Sequence, residues 1–301
     1  MNTPAADIDV DAGLVRRLIR AQHDDLAGPL TLIANGWDNV LYRLGDDLCV
    51  RLPRRRVAAE LILNEQRWLP VLAGHVNVPI PVPVRTGVPS REYPWAWTIT
   101  RWFEGRPAAD VAVADRGAIA IALAEFMAGL HTPAPADAPV NPVRGVPLAS
   151  RGGAVRQRLA TGAIPRAGEL RQIWEGLLAV PPRAGPPLWL HGDPHPANFL
   201  LAPGPDGRGM GLSAVLDFGD LTGGDPATDL AAAWLVFGPD DRAAFRAHLD
   251  RLTGTDPGTW QRARGWALSL GTAIAVNSGD NPRMAAIAGH ALDQVLLEPG
   301  A

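Results

Sequence analysis

Apolar residues follow two rhythms in the first third of the chain. From Asp11 to His23, Leu14, Val15, Leu18 and Ile19 fall at helical spacing behind an aspartate able to cap, which predicts an amphipathic helix. Three short β-rich runs come next, Leu30 to Ala34, Val40 to Leu44 and Leu48 to Leu52. The turn-forming stretches Asn35-Gly36-Trp37-Asp38 and Gly45-Asp46-Asp47 separate them, so they predict an antiparallel meander. Val57 to Leu72 predicts a second helix. Pro79, Pro81 and Pro83 then break the pattern until a tryptophan-rich strand from Trp95 to Phe103, and Glu104-Gly105-Arg106-Pro107 reads as a hinge.

Beyond position 104 the character turns helical. Val113 to Leu130 and Glu169 to Leu178 predict helices, with a loop carrying Pro133, Pro135, Pro139, Pro142 and Pro147 between them. Strand-like pieces here are Trp189 to His191, Phe199 to Leu201 and Ser213 to Leu216, the last two joined by a Gly/Pro turn from Ala202 to Gly211. Three or four helices close the chain from Pro226 to Leu296. The expected architecture is α+β: a small β-rich lobe over 1–103 and a larger, mainly helical lobe over 104–301. No internal repeat is visible.

Composition narrows the chemistry. With 47% hydrophobic and 20% charged residues, the 301-residue chain has the make-up of a folded globular protein. A net charge of −3 lacks the basic footprint of unspecific nucleic-acid binding, so no nucleic-acid partner is expected. The single cysteine, Cys49, cannot form an intrachain disulfide and reads as a small core residue. Met1 to Leu14 has no apolar core, and the longest apolar stretch, Gly117 to Leu130, contains Glu125 and falls short of the roughly 20 residues a bilayer requires. A cytoplasmic location and no membrane partner are expected; nothing bears on oligomeric state. All 28 basic residues are arginine, which excludes Schiff-base catalysis, Ser-Lys dyads and the lysine-ended phosphate loop.

The densest polar cluster is His191-Gly192-Asp193-Pro194-His195-Pro196-Ala197-Asn198, between two strand-like pieces. Further on, Ala214-Val215-Leu216 ends in Asp217-Phe218-Gly219-Asp220. One carboxylate that orients a hydroxyl, with an amide oxygen and a second carboxylate that hold magnesium, is what phosphoryl transfer from a nucleotide requires. Asn198 and Asp217 supply the hard oxygen donors magnesium prefers.

These motifs resemble the aminoglycoside phosphotransferase family, small-molecule kinases of the protein-kinase-like fold that carry H-G-D-x-x-x-x-N. The resemblance covers nearly the whole chain in family order: Asn35 to Asn39, Arg51-Leu52-Pro53-Arg54, Asn64 to Leu69, the His191 loop, Asp217-Phe218-Gly219 and Gly224 to Leu230. It implies that Asp193 is the catalytic base, that Asn198 and Asp217 bind Mg2+, and that Asn35, Gly36, Trp37, Asp38 and Asn39 cover the phosphates of ATP or GTP. The family usually places a lysine on the third strand, where this chain has Arg51. Glu65 lies among Leu61, Ile62, Leu69 and Leu72 at helical offsets, and a carboxylate in such a stripe needs a partner, which Arg51 would supply while presenting its fork to phosphate. Glu60 is the weaker candidate.

Other residues receive supporting roles. His191 and His195 are expected to brace the loop, and the resemblance implies that Asp229 anchors it through backbone hydrogen bonds. Asp225 is expected to cap a helix, His131 to compensate a helix end, and Trp102 to approach the base of the nucleotide. Asp220, Asp280, Asp293 and Glu298 are candidates for an acidic rim toward a cationic, aminoglycoside-like acceptor, with helix caps or solvent-facing charges as the alternative. Macrolides, peptide antibiotics and metabolites such as choline, homoserine or a sugar are alternative acceptors. Outside the kinase class stand a metallohydrolase with His191, Asp193 and His195 on zinc, and an inactive kinase-like binding module.

Overall fold

The computed structural model describes residues 5–204 and 209–298. The first residues of the polar N-terminal segment and the middle of the predicted 202–211 turn lie outside the described residues. The chain divides into two compact units, one formed by residues up to 75 with 79–104, the other by 76–78 with 105 onward.

In the first unit Asp11 accepts the Leu14 N–H at 2.7 Å and starts helix α1, Ala12–Gln22, which buries Leu14, Val15, Leu18 and Ile19. Strands β1 (Leu30–Asn35), β2 (Asn39–Leu44) and β3 (Leu48–Pro53) form the expected antiparallel meander. Helix α2, Arg56–Leu72, precedes β4 (Pro83–Gly87) and β5 (Trp97–Arg101), completing a five-stranded sheet of order β1-β2-β3-β5-β4. The proline breaks hide β4 in the sequence, but Pro83 is its first residue and β4 is an edge strand, where a missing N–H is tolerated. The sheet buries Val50, Leu52, Trp97 and Ile99 in one cluster with the apolar face of α1. Cys49 is buried, as expected of a core residue, and burial pushes its thiol up to about 11.

The second unit starts with the two-residue strand β6, Arg106–Pro107, so half of the expected hinge is paired backbone. Helix α3 covers only Ala120–Leu130; residues 113–119 form a 3₁₀ stretch instead of the predicted α-helix. There Arg116 is buried and donates to the carbonyls of Val111 and Val236, while Gly117 lies against the Asp241 carboxylate. Helix α4 (Gly152–Leu159) was not expected, and α5 (Ala167–Leu177) was. Strands β7 (Leu188–Leu190), β8 (Phe199–Pro203), β9 (Met210–Val215) and β10 (Thr222–Gly224) form, together with β6, two small antiparallel sheets, β10-β7 and β6-β8-β9. The closing helices are two short pieces, α6 (Ala227–Leu230) and α7 (Ala232–Val236), and three long ones, α8 (Pro239–Thr253), α9 (Pro257–Asn277) and α10 (Pro282–Leu297). Among the described residues no helix is long and apolar enough to cross a membrane.

Two glycines in different surroundings test this packing. A Cβ on Gly87 would lie 1.8 Å from Cε2 of the fully buried Trp97, whereas one on Gly153 of α4 would meet nothing within 4 Å. Gly87→Ala is expected to lower the unfolding free energy by about 2 kcal/mol or more, through forced repacking. Gly153→Ala should raise it by about 0.5–1 kcal/mol, through helix propensity. Urea titration of both variants checks the pair, and equal effects would contradict the packing of β4 on Trp97.

Candidate active site

The His191 loop joins β7 to β8, and its shape follows from one buried carboxylate. Asp229 of α6 is fully buried and accepts the N–H groups of His191 at 2.7 Å and Gly192 at 2.8 Å. Its Oδ2 also meets Nε2 of His131 at 3.1 Å. The anchoring role expected of Asp229 is what the geometry displays, and His131 turns its ring to this carboxylate instead of the carbonyls that end α3. Gly192 adopts φ +87°, and a Cβ there would lie 2.3 Å from the main-chain oxygen of Asp220, so only glycine lets the loop pass. His191 donates from Nε2 to the Leu216 carbonyl at 2.8 Å and accepts the Asp193 N–H on Nδ1 at 3.1 Å. Both of its nitrogens face main chain, which removes His191 as a zinc ligand. Among the described residues no group of three His, Cys, Asp or Glu side chains could hold a metal.

Asp193 follows directly. One carboxylate oxygen meets His195 Nε2 at 3.1 Å, and its main-chain oxygen accepts from Nδ2 of Asn198 at 2.9 Å. Burial works against its charge, but His195, followed by Arg144 and His191, holds Asp193 well below the usual carboxylate range. The same pairing raises the imidazole of His195 although burial opposes it. Leu216 donates its N–H to the Asn198 carbonyl at 2.8 Å, so Asn198 and Asp217 leave the same end of the β8-β9 ladder. Asp217 stands at φ +60°, one of two non-glycine residues with positive φ among those described. Aspartate tolerates that conformation better than most residues, and such strain gathers at functional sites. Since Nδ2 of Asn198 is engaged, its amide oxygen and the Asp217 carboxylate are the hard donors that fit Mg2+.

Arg144 and Asn141 of the proline-rich loop, which no local sequence signal marks, also reach these carboxylates. Nη2 of Arg144 lies 3.7 Å from Oδ1 of Asp193 and 3.5 Å from Oδ2 of Asp220. Asn141 donates to Asp220 at 2.6 Å, and its own side-chain oxygen accepts the N–H groups of Val143 and Arg144. Burial first, with Arg144 opposing it, raises the carboxyl of Asp220 above its ordinary range. Of the proposed acidic rim, Asp220 is therefore already partnered. Glu298 accepts from Trp234 and Arg246, while Asp280 is exposed in the turn between α9 and α10 and Asp293 is exposed on α10. Asp225 does receive the Ala227 N–H, but its main partner is the buried Arg262, 2.7 Å away, so it is an ion-pair residue as well as a cap.

In the first unit Arg51 of β3 places Nη1 2.7 and 2.8 Å from the two oxygens of the buried Glu65 of α2, the pairing expected from the apolar stripe. With its amide turned to satisfy both donors, Asn39 accepts from Nε and Nη2 of Arg51 at 3.2 and 2.9 Å. Glu60 is exposed. Asn35 ends β1 and Asn39 opens β2; between them Gly36 donates to the Asn39 carbonyl, Arg54 donates to the Gly36 carbonyl, and Arg55 pairs with Asp38 at 2.8 Å. Trp37 is 44% exposed at the tip of this turn. Trp102 donates to Glu104 and carries the Arg43 guanidinium over its ring at 4.8 Å, so one face of the indole is covered.

A small antiparallel sheet with one helix bearing an Arg-Glu pair, and a helical unit bearing an Asp-Asn-Asp loop system, define a kinase-like phosphotransferase. The sequence matches the phosphotransferase enzyme family over residues 29–266, and the chain belongs to that family. Comparison with curated proteins returned no match. Among solved structures the chain is similar to the GDP complex of a wild-type aminoglycoside 2'-phosphotransferase, with 19% identity over 95% of this chain and 99% of that one and a TM-score of 0.68. It is similar to an aminoglycoside phosphotransferase bound to GDP and kanamycin at 20% identity, 92% and 97% coverage and a TM-score of 0.66. A macrolide 2'-phosphotransferase from Brachybacterium faecium, solved as the apoenzyme, matches at 24% identity, 97% and 99% coverage and a TM-score of 0.62.

The Arg51-Glu65 pair yields a direct test. Its side chains are 15% and 6% exposed, so removing one partner strands a buried charge. Arg51→Met is expected to destabilise the protein by about 3 to 5 kcal/mol, and Arg51→Met with Glu65→Leu by less than the sum of the single changes. Additive effects in a double-mutant cycle would contradict the coupling.

Proposed function

We propose that the protein transfers the γ-phosphoryl group of ATP or GTP to a hydroxyl of a small antibiotic-like molecule. The reading rests above all on the loop pinned by Asp229, which brings Asp193, Asn198 and Asp217 to one end of the β8-β9 hairpin. In this reading the ionised Asp193 accepts the hydrogen bond of the acceptor hydroxyl and takes its proton as the phosphoryl group leaves. His195 and Asn198 fix the orientation of the carboxylate. Asn198 and Asp217 would hold Mg2+, which neutralises phosphate charge when bound. On the nucleotide side Arg51 presents its fork from between Glu65 and Asn39, the 35–39 turn covers the phosphates, and Trp102 offers its open face to the base. GDP in the complexes of structural neighbours supports a purine nucleotide donor.

An aminoglycoside-like acceptor is supported by the kanamycin complex of one neighbour and by the exposed carboxylates Asp280 and Asp293. A macrolide-like acceptor with less charge is favoured by a different observation: Asp220 and Glu298 already have basic partners.

Asp193→Ala is expected to lower turnover by about a hundredfold or more while leaving nucleotide affinity within twofold or so, because the base contacts the hydroxyl and not the triphosphate. Asp217→Asn should shift the magnesium dependence of activity upward, and Asn198→Ala should do so more mildly. A coupled assay with kanamycin and with a macrolide, at varied Mg2+ and with both nucleotides, measures all three. Turnover retained in Asp193→Ala, or one magnesium curve for all variants, would remove these assignments.

A further inference from the structure

Every oxygen of the Asp193 and Asp220 carboxylates faces a cationic or amide donor. Oδ1 of Asp193 lies 3.7 Å from Nη2 of Arg144, and Oδ2 lies 3.1 Å from Nε2 of His195. Oδ2 of Asp220 lies 3.5 Å from the same Nη2, and Oδ1 accepts from Nδ2 of Asn141 at 2.6 Å. Arg144 therefore meets both acids with one edge of its guanidinium. A carboxylate oxygen offers more than one lone pair, so a hydroxyl can still donate to Asp193 beside these partners. What Arg144 changes at the base is charge rather than hydrogen-bonding capacity.

The backbone on both sides of Arg144 is fixed. The Asn141 side-chain oxygen accepts the N–H groups of Val143 and Arg144, and Asn141 donates its own N–H to the Thr222 hydroxyl. On the other side Gly145 donates to the Thr228 hydroxyl, and its carbonyl accepts the Asp225 N–H. Gly145 stands at φ +68°, and a Cβ there would lie 2.8 Å from Cδ1 of Leu190 and 3.1 Å from Cα of Gly224, so only glycine lets the loop pass. Thr228 belongs to α6, as does the Asp229 that pins the loop of Asp193. One short helix thus sets the place of the guanidinium and of the base together. The Arg144 side chain is 19% exposed and its Nε is shut off from solvent, so the cation stays beside the two acids.

We propose that Arg144 is a specificity-determining residue: it stands where an acceptor's ammonium group would approach Asp193 and Asp220, and it selects acceptors that are uncharged next to the reacting hydroxyl. An ammonium bonded to either acid is brought close to the guanidinium, and such a like-charge juxtaposition is costly, whereas a neutral hydroxyl donating to the same oxygen incurs no such cost. Discrimination between related ligands commonly needs a repulsive element, and Arg144 supplies it. This inference rests on the proposed function in taking Asp193 as the base at which the acceptor arrives.

Kanamycin and its fully N-acetylated, uncharged derivative are the probes, titrated by calorimetry into the full chain at constant ionic strength. Arg144→Gln is expected to tighten kanamycin binding about tenfold or more while leaving the acetylated compound within about twofold. Arg144→Lys, which keeps the charge, should behave like wild type. Adding Asp220→Asn to Arg144→Gln should take back part of the gain, because one of the uncovered acids is gone. Circular dichroism confirms that the variants are folded, and a gain of affinity cannot come from unfolding. Kanamycin affinity that does not rise in Arg144→Gln, or that rises equally for the uncharged compound or in Arg144→Lys, overturns the proposal. Phosphotransfer is scored separately. A charge-dependent gain in kanamycin binding without transfer by any form of the protein keeps the role of Arg144 and removes the proposed function. Transfer to kanamycin at the same kcat/KM in wild type and Arg144→Gln keeps the proposed function and removes the role of Arg144.

Discussion

A fully buried carboxylate holds the chemistry of this protein in place. Asp229 would be costly to bury alone, and its two oxygens are satisfied by consecutive backbone N–H groups of the loop and by His131 at the end of α3. The dependence runs both ways. The loop needs an acceptor for N–H groups that its turn at Gly192 leaves without strand partners, and the carboxylate needs donors. Once those bonds exist, the direction of Asp193 is determined by His191 on its N–H and by Asn198 on its carbonyl. The Asp193 side chain is therefore aimed through main-chain bonds, which leaves its own carboxylate to His195 and Arg144.

The rest of the molecule uses the same device with guanidinium groups. A chain with 28 arginines and no lysine must place every buried cation as a planar fork. Arg51 bridges Glu65 and Asn39, and Arg262 joins Asp225 to Thr259 and to the carbonyl of Pro181. Arg264 donates to the carbonyl of Val295. Each fork ties distant chain segments together within its unit. Where a lysine would present one mobile point charge, Arg51 is a planar group already held on two edges, by Glu65 and by Asn39.

How much of this was legible in the sequence depends on range. Glu65 declared itself because an acid inside a helical apolar stripe demands a partner, and β3, the strand just before that helix, supplied Arg51. The His191 loop declared itself through its density of polar residues between apolar runs. Arg144 and Asn141 did not, because nothing local marks them: their partners Asp193, Asp220 and Thr222 lie roughly fifty to eighty positions away in a loop that reads only as prolines. Asp225 was read as a cap for the same reason, since Arg262 is distant in sequence and the local Ala227 N–H is real. Strands β4, β6 and β10 escaped because they are short and proline- or glycine-rich, and pairing partners rather than propensity hold them in place.

The balance of charge around Asp193 then bears on what the site can accept. Read from the sequence, Asp220 and Glu298 enrich the acid content of the acceptor side, whereas in the fold each is met by arginine. Asp193 itself stands between His195, raised by it, and Arg144. An incoming ammonium would have to share Asp193 and Asp220 with the guanidinium of Arg144, which the loop holds in place. A hydroxyl flanked by neutral or anionic groups meets no such competition. The groups that hold the Asp193 carboxylate ionised thus also set the charge around it, and through Arg144 the proline-rich loop is one of them.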